Sequence, residues 1–253
     1  MRKIIETKLK EIEKKENVRI IYAVESGSRA WGFASPDSDY DVRFIYVRPK
    51  DYYLRLDKTK DVIEWQLDET FDINGWDLQK ALRLLHGSNP TLFEWNNSPI
   101  QYKTTEDWTM IQDEINHYFS SKSGLYHYLN TANRNYHEFL LDEMVKYKKY
   151  FYVIRSLLAC KWILDKHCPP PMLFTELADT ELDADIKETV NRLLELKMNT
   201  LEMEKGKRID LLNDYIRRNL ILLKTQIDAL PHEHKADWKR LNRLFLDIVN
   251  HSL

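Results

Sequence analysis

The chain changes its hydrophobic period once, near residue 105, and that change sets what it can fold into. Before it, short β-branched runs alternate with turn residues. Val18 to Val24 (Val-Arg-Ile-Ile-Tyr-Ala-Val) and Tyr40 to Val47 (Tyr-Asp-Val-Arg-Phe-Ile-Tyr-Val) predict strands. Val62 to Leu67 and Thr70 to Ile73 predict further strand segments. Gly27 to Asp37 is rich in Gly, Ser and Pro and reads as a loop, and Pro49 ends the second strand. The segment 50–60 reads as a loop or short helix. Helices frame these strands. Ile5, Leu9 and Ile12 recur at helical spacing up to a stop at Asn17, and Asp77 caps a run through Leu78, Ala81, Leu82 and Leu85 that Gly87 closes at C′. Asn89-Pro90 opens a second short segment, Thr91 to Trp95.

After residue 105 no β-alternation is left. Helical periods cover 107–120, 122–141, 143–166, 183–203, 205–229 and 235–250, broken once by Pro169-Pro170-Pro171. The expected fold class is α+β: a small mixed-sheet core over 1–104, followed by an all-helical domain over 105–253. The 253 residues suffice for two such domains, and only 6 Gly and 8 Pro argue against long disordered linkers.

Composition removes several function classes. A net charge of −2 excludes a generally basic nucleic-acid coat protein but leaves room for a local basic groove. Cys160 and Cys168 lack CxxC spacing and are too few for a disulfide framework, so they read as buried or half-buried thiols. Met1-Arg2-Lys3-Ile4-Ile5-Glu6 has no apolar signal core, and no apolar run reaches the ~18–20 residues that span a bilayer. The expectation is a cytoplasmic protein with no membrane partner.

The chemistry sits between the first two predicted strands. Glu25-Ser26-Gly27-Ser28-Arg29-Ala30-Trp31-Gly32 follows the first, and Ser38-Asp39-Tyr40-Asp41-Val42 opens the second. Asp39 and Asp41 are two apart, which on a strand puts both carboxylates on one face and turns Tyr40 and Val42 toward the core. Two adjacent carboxylates repel unless a cation lies between them, and Mg2+ takes oxygen ligands of this kind. Gly27 lets backbone approach a phosphate, and the Ser28 hydroxyl and nearby amides can donate to it. Arg29 either neutralises phosphate or pairs with Glu25 or Asp37. A third carboxylate is wanted on a neighbouring strand. Asp72, flanked by Phe71 and Ile73, fits best, while Asp68 reads as part of a turn with Glu69 and Asp77 as a helix cap.

These residues resemble a known pattern. Gly27-Ser28, a spacer, then Asp39 and Asp41 is similar to the motif of the DNA polymerase β nucleotidyltransferase superfamily, with Tyr40 where many members carry a small aliphatic residue. The longer context resembles one bacterial branch of predicted nucleotidyltransferases named for an RNA repair pathway. The residues that carry it are Glu25 to Gly32, Ser38 to Arg43, Gly75 to Leu82, Ser88-Asn89-Pro90, Glu94-Trp95 with Ser98-Pro99, and Lys148 to Tyr152 with Arg155 and Ala159-Cys160. The resemblance spans roughly residues 1–175.

It implies an α/β nucleotidyltransferase core closed over its nucleotide by a helical domain, an NTP donor, and two divalent ions, Mg2+ or Mn2+. It also implies that Asp39 and Asp41 hold metal and that the third carboxylate, here Asp72, assists metal and activates the acceptor hydroxyl. Gly27 and Ser28 match the phosphate-gripping turn, and Ser38 precedes the carboxylate pair.

Further nucleotide-binding candidates follow. Arg43 shares the strand face of Asp39 and Asp41. Lys148, Tyr152 and Arg155 fall at i, i+4 and i+7 of one predicted helix, with Lys149 beside them; that face either contacts a triphosphate and stacks a base or is a solvated basic surface. Lys80 and Arg134 are weaker candidates, and Asn89, Glu94 and Trp95 either shape an acceptor pocket or pack a domain junction. His232-x-His234 lacks further ligands at metal spacing and reads as surface.

The leading expectation is a metal-dependent enzyme moving an NMP group from an NTP to an acceptor hydroxyl, an RNA end first, with release of pyrophosphate. The alternative is a catalytically weak nucleotide-binding regulatory module of the same fold. A Walker-type hydrolase is disfavoured by the missing Gly-x-x-x-x-Gly-Lys run.

Overall fold

A computed structural model describes residues 1–199, 205–231, 233 and 236–251. In chain order its first part runs α1 (Arg2–Glu16), β1 (Arg19–Glu25), α2 (Gly27–Ala30), β2 (Tyr40–Val47), α3 (Lys50–Tyr53), β3 (Val62–Leu67), β4 (Phe71–Asp77), α4 (Leu78–His86), α5 (Pro90–Asn96), β5 (Gln101–Thr104) and α6 (Glu106–Ile115). Then follow α7 (Ser121–Phe139), β6 (Met144–Lys146), α8 (Lys148–Lys166), α9 (Phe174–Glu181), α10 (Ala184–Asn199), β7 (Lys205–Lys207), α11 (Asp210–Asp228) and α12 (Lys239–Asn250). None of the described helices is long and apolar enough to cross a membrane.

The chain forms two compact units. One comprises Met1–Ala30, Asp39–Phe119 and Lys235–Leu253; the other comprises Trp31–Ser38 and Ser120–His234. Helices α6 and α12 therefore belong with the sheet, although the sequence assigned everything after 104 to a helical domain.

The first unit is built on a five-stranded mixed sheet of order β3-β4-β2-β1-β5. Strand β2 runs antiparallel to β1 and parallel to β4, with Asp41 opposite Asp72 and Arg43 opposite Asn74. Period-2 alternation divides the side chains between two cores. Val42, Phe44, Tyr46, Phe71 and Ile73 pack with Ile5, Leu9 and Ile12 of α1 on one face. Ile45 and Val47 join Leu78, Leu82 and Leu85 of α4, Trp108 and Ile111 of α6, and Leu241 and Ile248 of α12 on the other. Asp41 and Arg43 share the second face with Ile45 and Val47, at the end of the strand that these helices leave partly uncovered. Gly75 lets β4 lie close on this sheet, because a Cβ there would meet the Phe44 ring at 2.2 Å.

Local signals in the sequence act as expected at several points. Asn17 ends α1 in the left-handed region at φ 50°. The Asp77 side chain caps α4 by accepting from Gln79 N at 2.8 Å, and Asn89 caps α5 by accepting from Thr91 N at 3.0 Å. Asp68 closes the β3–β4 turn by accepting from the amides of Thr70 and Phe71, both at 2.8 Å. Gly87 departs from expectation: it caps α4 with φ −78°, and the left-handed residue is the next one, Ser88, at φ 54°. Gly27 to Ala30 forms one helical turn rather than pure loop, β4 continues to Asp77, and β5 carries no alternation that the sequence reading picked up.

The second unit is helical apart from a small antiparallel ribbon, β6 with β7, an addition to the all-helical expectation. Its core holds a buried polar chain: Tyr150 OH donates to Asn213 Oδ1 at 2.8 Å and accepts from Ile209 N at 2.8 Å, while Asn213 Nδ2 donates to Leu140 O at 2.7 Å. The segment Trp31–Ser38 is part of this unit. Phe33 packs against Phe151 and Phe174, with ring centroids 5.1 and 5.6 Å away, and Phe174 N donates to Trp31 O at 2.9 Å. Cys160 is buried and Cys168 half-buried, both free. His232 and His234 lie outside the described residues.

Candidate active site

Asp41 and Asp72 stand side by side because β2 and β4 run parallel in a register that pairs them. Gly27 completes the arrangement from the turn after β1. Its φ is +59°, and a Cβ there would lie 1.9 Å from Asp41 Oδ2, so only glycine leaves room for the Asp41 carboxylate against this turn. Backbone bonds fasten the turn to the strand: Ser26 N donates to Asp41 O at 2.8 Å.

Glu25 supports the site from beneath. It is fully buried, and its carboxylate accepts from Asp41 N at 2.8 Å and from the Tyr102 hydroxyl. Burial pushes the Glu25 carboxyl up to about 7, against opposing hydrogen bonds from Tyr102 and the Asp41 amide.

Arg43 lies among the carboxylates. Its Nη2 donates to Asp41 Oδ1 at 3.0 Å and to Asp72 Oδ2 at 2.6 Å, and its Nη1 donates to Asp72 O at 2.6 Å and Val42 O at 3.2 Å. The second oxygen of Asp72 accepts from Asn74 Nδ2 at 3.2 Å. Asn74 is a site residue the sequence reading missed. Its signal was present in the alternation of β4, which puts Asp72 and Asn74 on one face.

The remaining candidates fall as follows. Asp39 is half-buried just before β2, and its carbonyl accepts from Arg29 Nε at 2.9 Å. The Arg29 guanidinium stacks on the Tyr40 ring at 3.8 Å. Ser28 is buried in the single turn of α2. Ser38 belongs to the second unit, where its hydroxyl lies 2.9 Å from that of Ser35, which also takes a 3.0 Å hydrogen bond from the buried Lys197.

Lys148, Lys149, Tyr152 and Arg155 are also in that unit, on α8. Lys148 and Tyr152 are half-exposed. Lys149 sits over the Phe139 ring at 3.6 Å, and burial, with Lys148 nearby, pulls its ammonium below the usual lysine range. Arg155 does not share a solvent face with them. It is 3% exposed, stacks on Trp31 at 4.7 Å and donates to Met172 O at 3.2 Å. Lys80 pairs with Asp61 at 3.2 Å. Trp95 is core, against Trp76 with centroids 4.2 Å apart.

The donor set fits a hard divalent cation: paired carboxylate oxygens at a partly open strand end, against a glycine turn. Asp41 and Asp72, with Asp39 two residues before Asp41, would hold it. Among the described residues, no three His, Cys, Asp or Glu side chains form a ready metal cluster; the charge between Asp41 and Asp72 is supplied by Arg43.

A family model described as "RNA repair pathway DNA polymerase beta family" (RlaP) matches residues 1–247. The chain belongs to this family. It is 42% identical to the uncharacterised protein YcgL of Bacillus subtilis (strain 168) over 254 residues, which cover 98% of this chain and 96% of that protein. A crystal structure of a nucleotidyltransferase-like protein from Exiguobacterium sibiricum 255-15 aligns over 97% of this chain and 89% of its own, at 16% identity and a TM-score of 0.31.

Proposed function

We propose that this protein is a metal-dependent nucleotidyltransferase that moves an NMP group from an NTP to an acceptor hydroxyl. The observation that carries the reading is the Asp41 carboxylate seated on the Cβ-less face of Gly27 and flanked in register by Asp72. The acceptor oxygen forms a bond to the α-phosphorus, the bond from that phosphorus to the bridging oxygen breaks, and pyrophosphate leaves. Asp72 takes the hydroxyl proton, and the Gly27-Ser28 turn orients the triphosphate. Mg2+ or Mn2+, when bound, supplies charge neutralisation at the phosphoryl oxygens. The family description favours an RNA end as acceptor. The net charge of −2 argues for a short footprint on it, since each phosphate contact uses a cation.

The competing reading, a nucleotide-binding module with little chemistry, is favoured by one observation: Arg43 engages both Asp41 and Asp72. Incubation with each α-labelled NTP, Mg2+ or Mn2+, and a panel of RNA ends and proteins separates the two. Label transfer that disappears in Asp39→Ala and Asp41→Ala supports the enzyme. Transfer that persists in those variants refutes the carboxylate assignment, and nucleotide binding without transfer supports the module. NTP affinity in Lys148→Ala and Lys149→Ala reads the contribution of the basic start of α8.

A further inference from the structure

The gap between Asp41 and Asp72 already holds a cation. Arg43 places four hydrogen bonds there, two to carboxylate oxygens and two to carbonyls, and its side chain is 15% exposed. The Asp41 and Asp72 side chains are 21% and 27% exposed, so solvent screens their mutual repulsion only in part. A planar guanidinium suits this position because its fork spans two acceptors at fixed spacing, which an ammonium does not.

We infer that Arg43 is an internal counter-ion that a divalent cation must displace: guanidinium and metal are alternative occupants of the Asp41–Asp72 gap. The inference rests on the reading above that these carboxylates bind metal, and it gives Arg43 a positioning role rather than a direct nucleotide contact. Held by Arg43, the two side chains keep their orientation in the metal-free protein. Asn74 retains the other oxygen of Asp72 throughout, so that carboxylate stays aimed at the gap when the guanidinium leaves. The cost of displacement weakens metal binding relative to what the carboxylates alone would give.

The magnitude follows from the contacts a metal must displace: hydrogen bonds to charged groups are each worth roughly tenfold or more in an equilibrium constant, and Arg43 makes one to each carboxylate. Replacing Arg43 by a neutral side chain of similar length is therefore expected to tighten Mn2+ binding by about tenfold or more.

The test uses the full-length chain with Mn2+ alone, without nucleotide. Binding is followed by electron paramagnetic resonance of free Mn2+, and the melting temperature is measured with and without the ion. Arg43→Met is expected to bind Mn2+ at least about tenfold more tightly than wild type and to gain more in melting temperature from saturating Mn2+, while melting lower than wild type without it. Arg43→Lys, which keeps the charge but loses the fork, is expected to fall between them, and it serves in place of Arg43→Met if that variant does not fold. Asp41→Asn marks the site. If Asp41→Asn abolishes Mn2+ binding but the Arg43 variants bind no more tightly than wild type, the counter-ion inference is wrong and the metal reading stands. If neither wild type nor the Arg43 variants bind Mn2+, both are overturned.

Discussion

Replacing Gly27 by alanine tests the site at its tightest point. Two costs are readable from the geometry. A Cβ-bearing residue held at φ +59° costs about 1–2 kcal/mol in the left-handed region. The new methyl would also stand 1.9 Å from Asp41 Oδ2 and 2.8 Å from Asp41 Cγ, so the carboxylate must turn away. Leaving its rotamer costs about 0.5–1.5 kcal/mol, and its 3.0 Å bond to Arg43 is lost with it. Together these give a loss of about 2–5 kcal/mol. At this chain length each kcal/mol lowers the melting temperature by roughly 2–4 °C.

Gly87→Ala is the matched control. There φ is −78°, and a Cβ would meet only the carbonyl oxygens of Leu84 and Arg83, at 3.4 and 3.7 Å, which is ordinary contact. That variant is expected to be neutral or up to about 1 kcal/mol more stable, because alanine restricts the unfolded chain. Scanning fluorimetry on both variants, with Mn2+ binding as a second readout, decides the matter. Equal melting temperatures for Gly27→Ala and Gly87→Ala would refute the claim that Asp41 is seated on Gly27.

Two further predictions follow from buried carboxylates. Glu25 titrates near 7 in the folded protein against an ordinary value of 4.5, so the folded state holds its proton more tightly than the unfolded chain. Its contribution to stability is fully present below about pH 4.5 and is lost as pH rises through 7. Urea midpoints between pH 5 and 8 should therefore fall less steeply in Glu25→Gln than in wild type, and an unchanged slope would show that Glu25 is not the titrating group. Asp77→Ala removes both the cap on Gln79 N and the 2.9 Å acceptor of the Tyr53 hydroxyl. A loss of about 2–3 kcal/mol in urea unfolding is expected, and a loss under about 0.5 kcal/mol would contradict both contacts.

Much of the sheet unit was legible because its signals are local. Asp68, Asp77 and Asn89 each bond to amides two or three residues away, so turn and cap chemistry identify them without knowledge of the fold. Asp72 was picked out by its apolar flanks, and its place beside Asp41 then depended on β2 and β4 pairing in parallel, which no local pattern states. The Glu25–Tyr102 bond was missed because its partners are strand neighbours rather than sequence neighbours, whereas Asn74 was missed although its partner, Asp72, lies two residues away on the same strand face. Arg155 was misplaced because i, i+4, i+7 spacing defines a shared face without saying whether solvent or Trp31 covers it. Helices α6 and α12 carry apolar stripes like the others, and period alone does not say which core a stripe joins.

The assignment of Trp31–Ser38 to the helical unit bears on how this protein can be taken apart. The chain passes from one unit to the other after Ala30, Ser38, Phe119 and His234. No single cut therefore releases either unit whole. A fragment ending at residue 104 would lack α6 and α12, and it would leave Phe33 without the Phe151 and Phe174 rings. The eight residues from Trp31 to Ser38 also join the glycine turn to Asp39, so the sequence between the two halves of the candidate motif is constrained by packing in the helical unit as well as by chemistry. Grafting that motif onto another sheet core would require carrying the aromatic seat of Phe33 along with it.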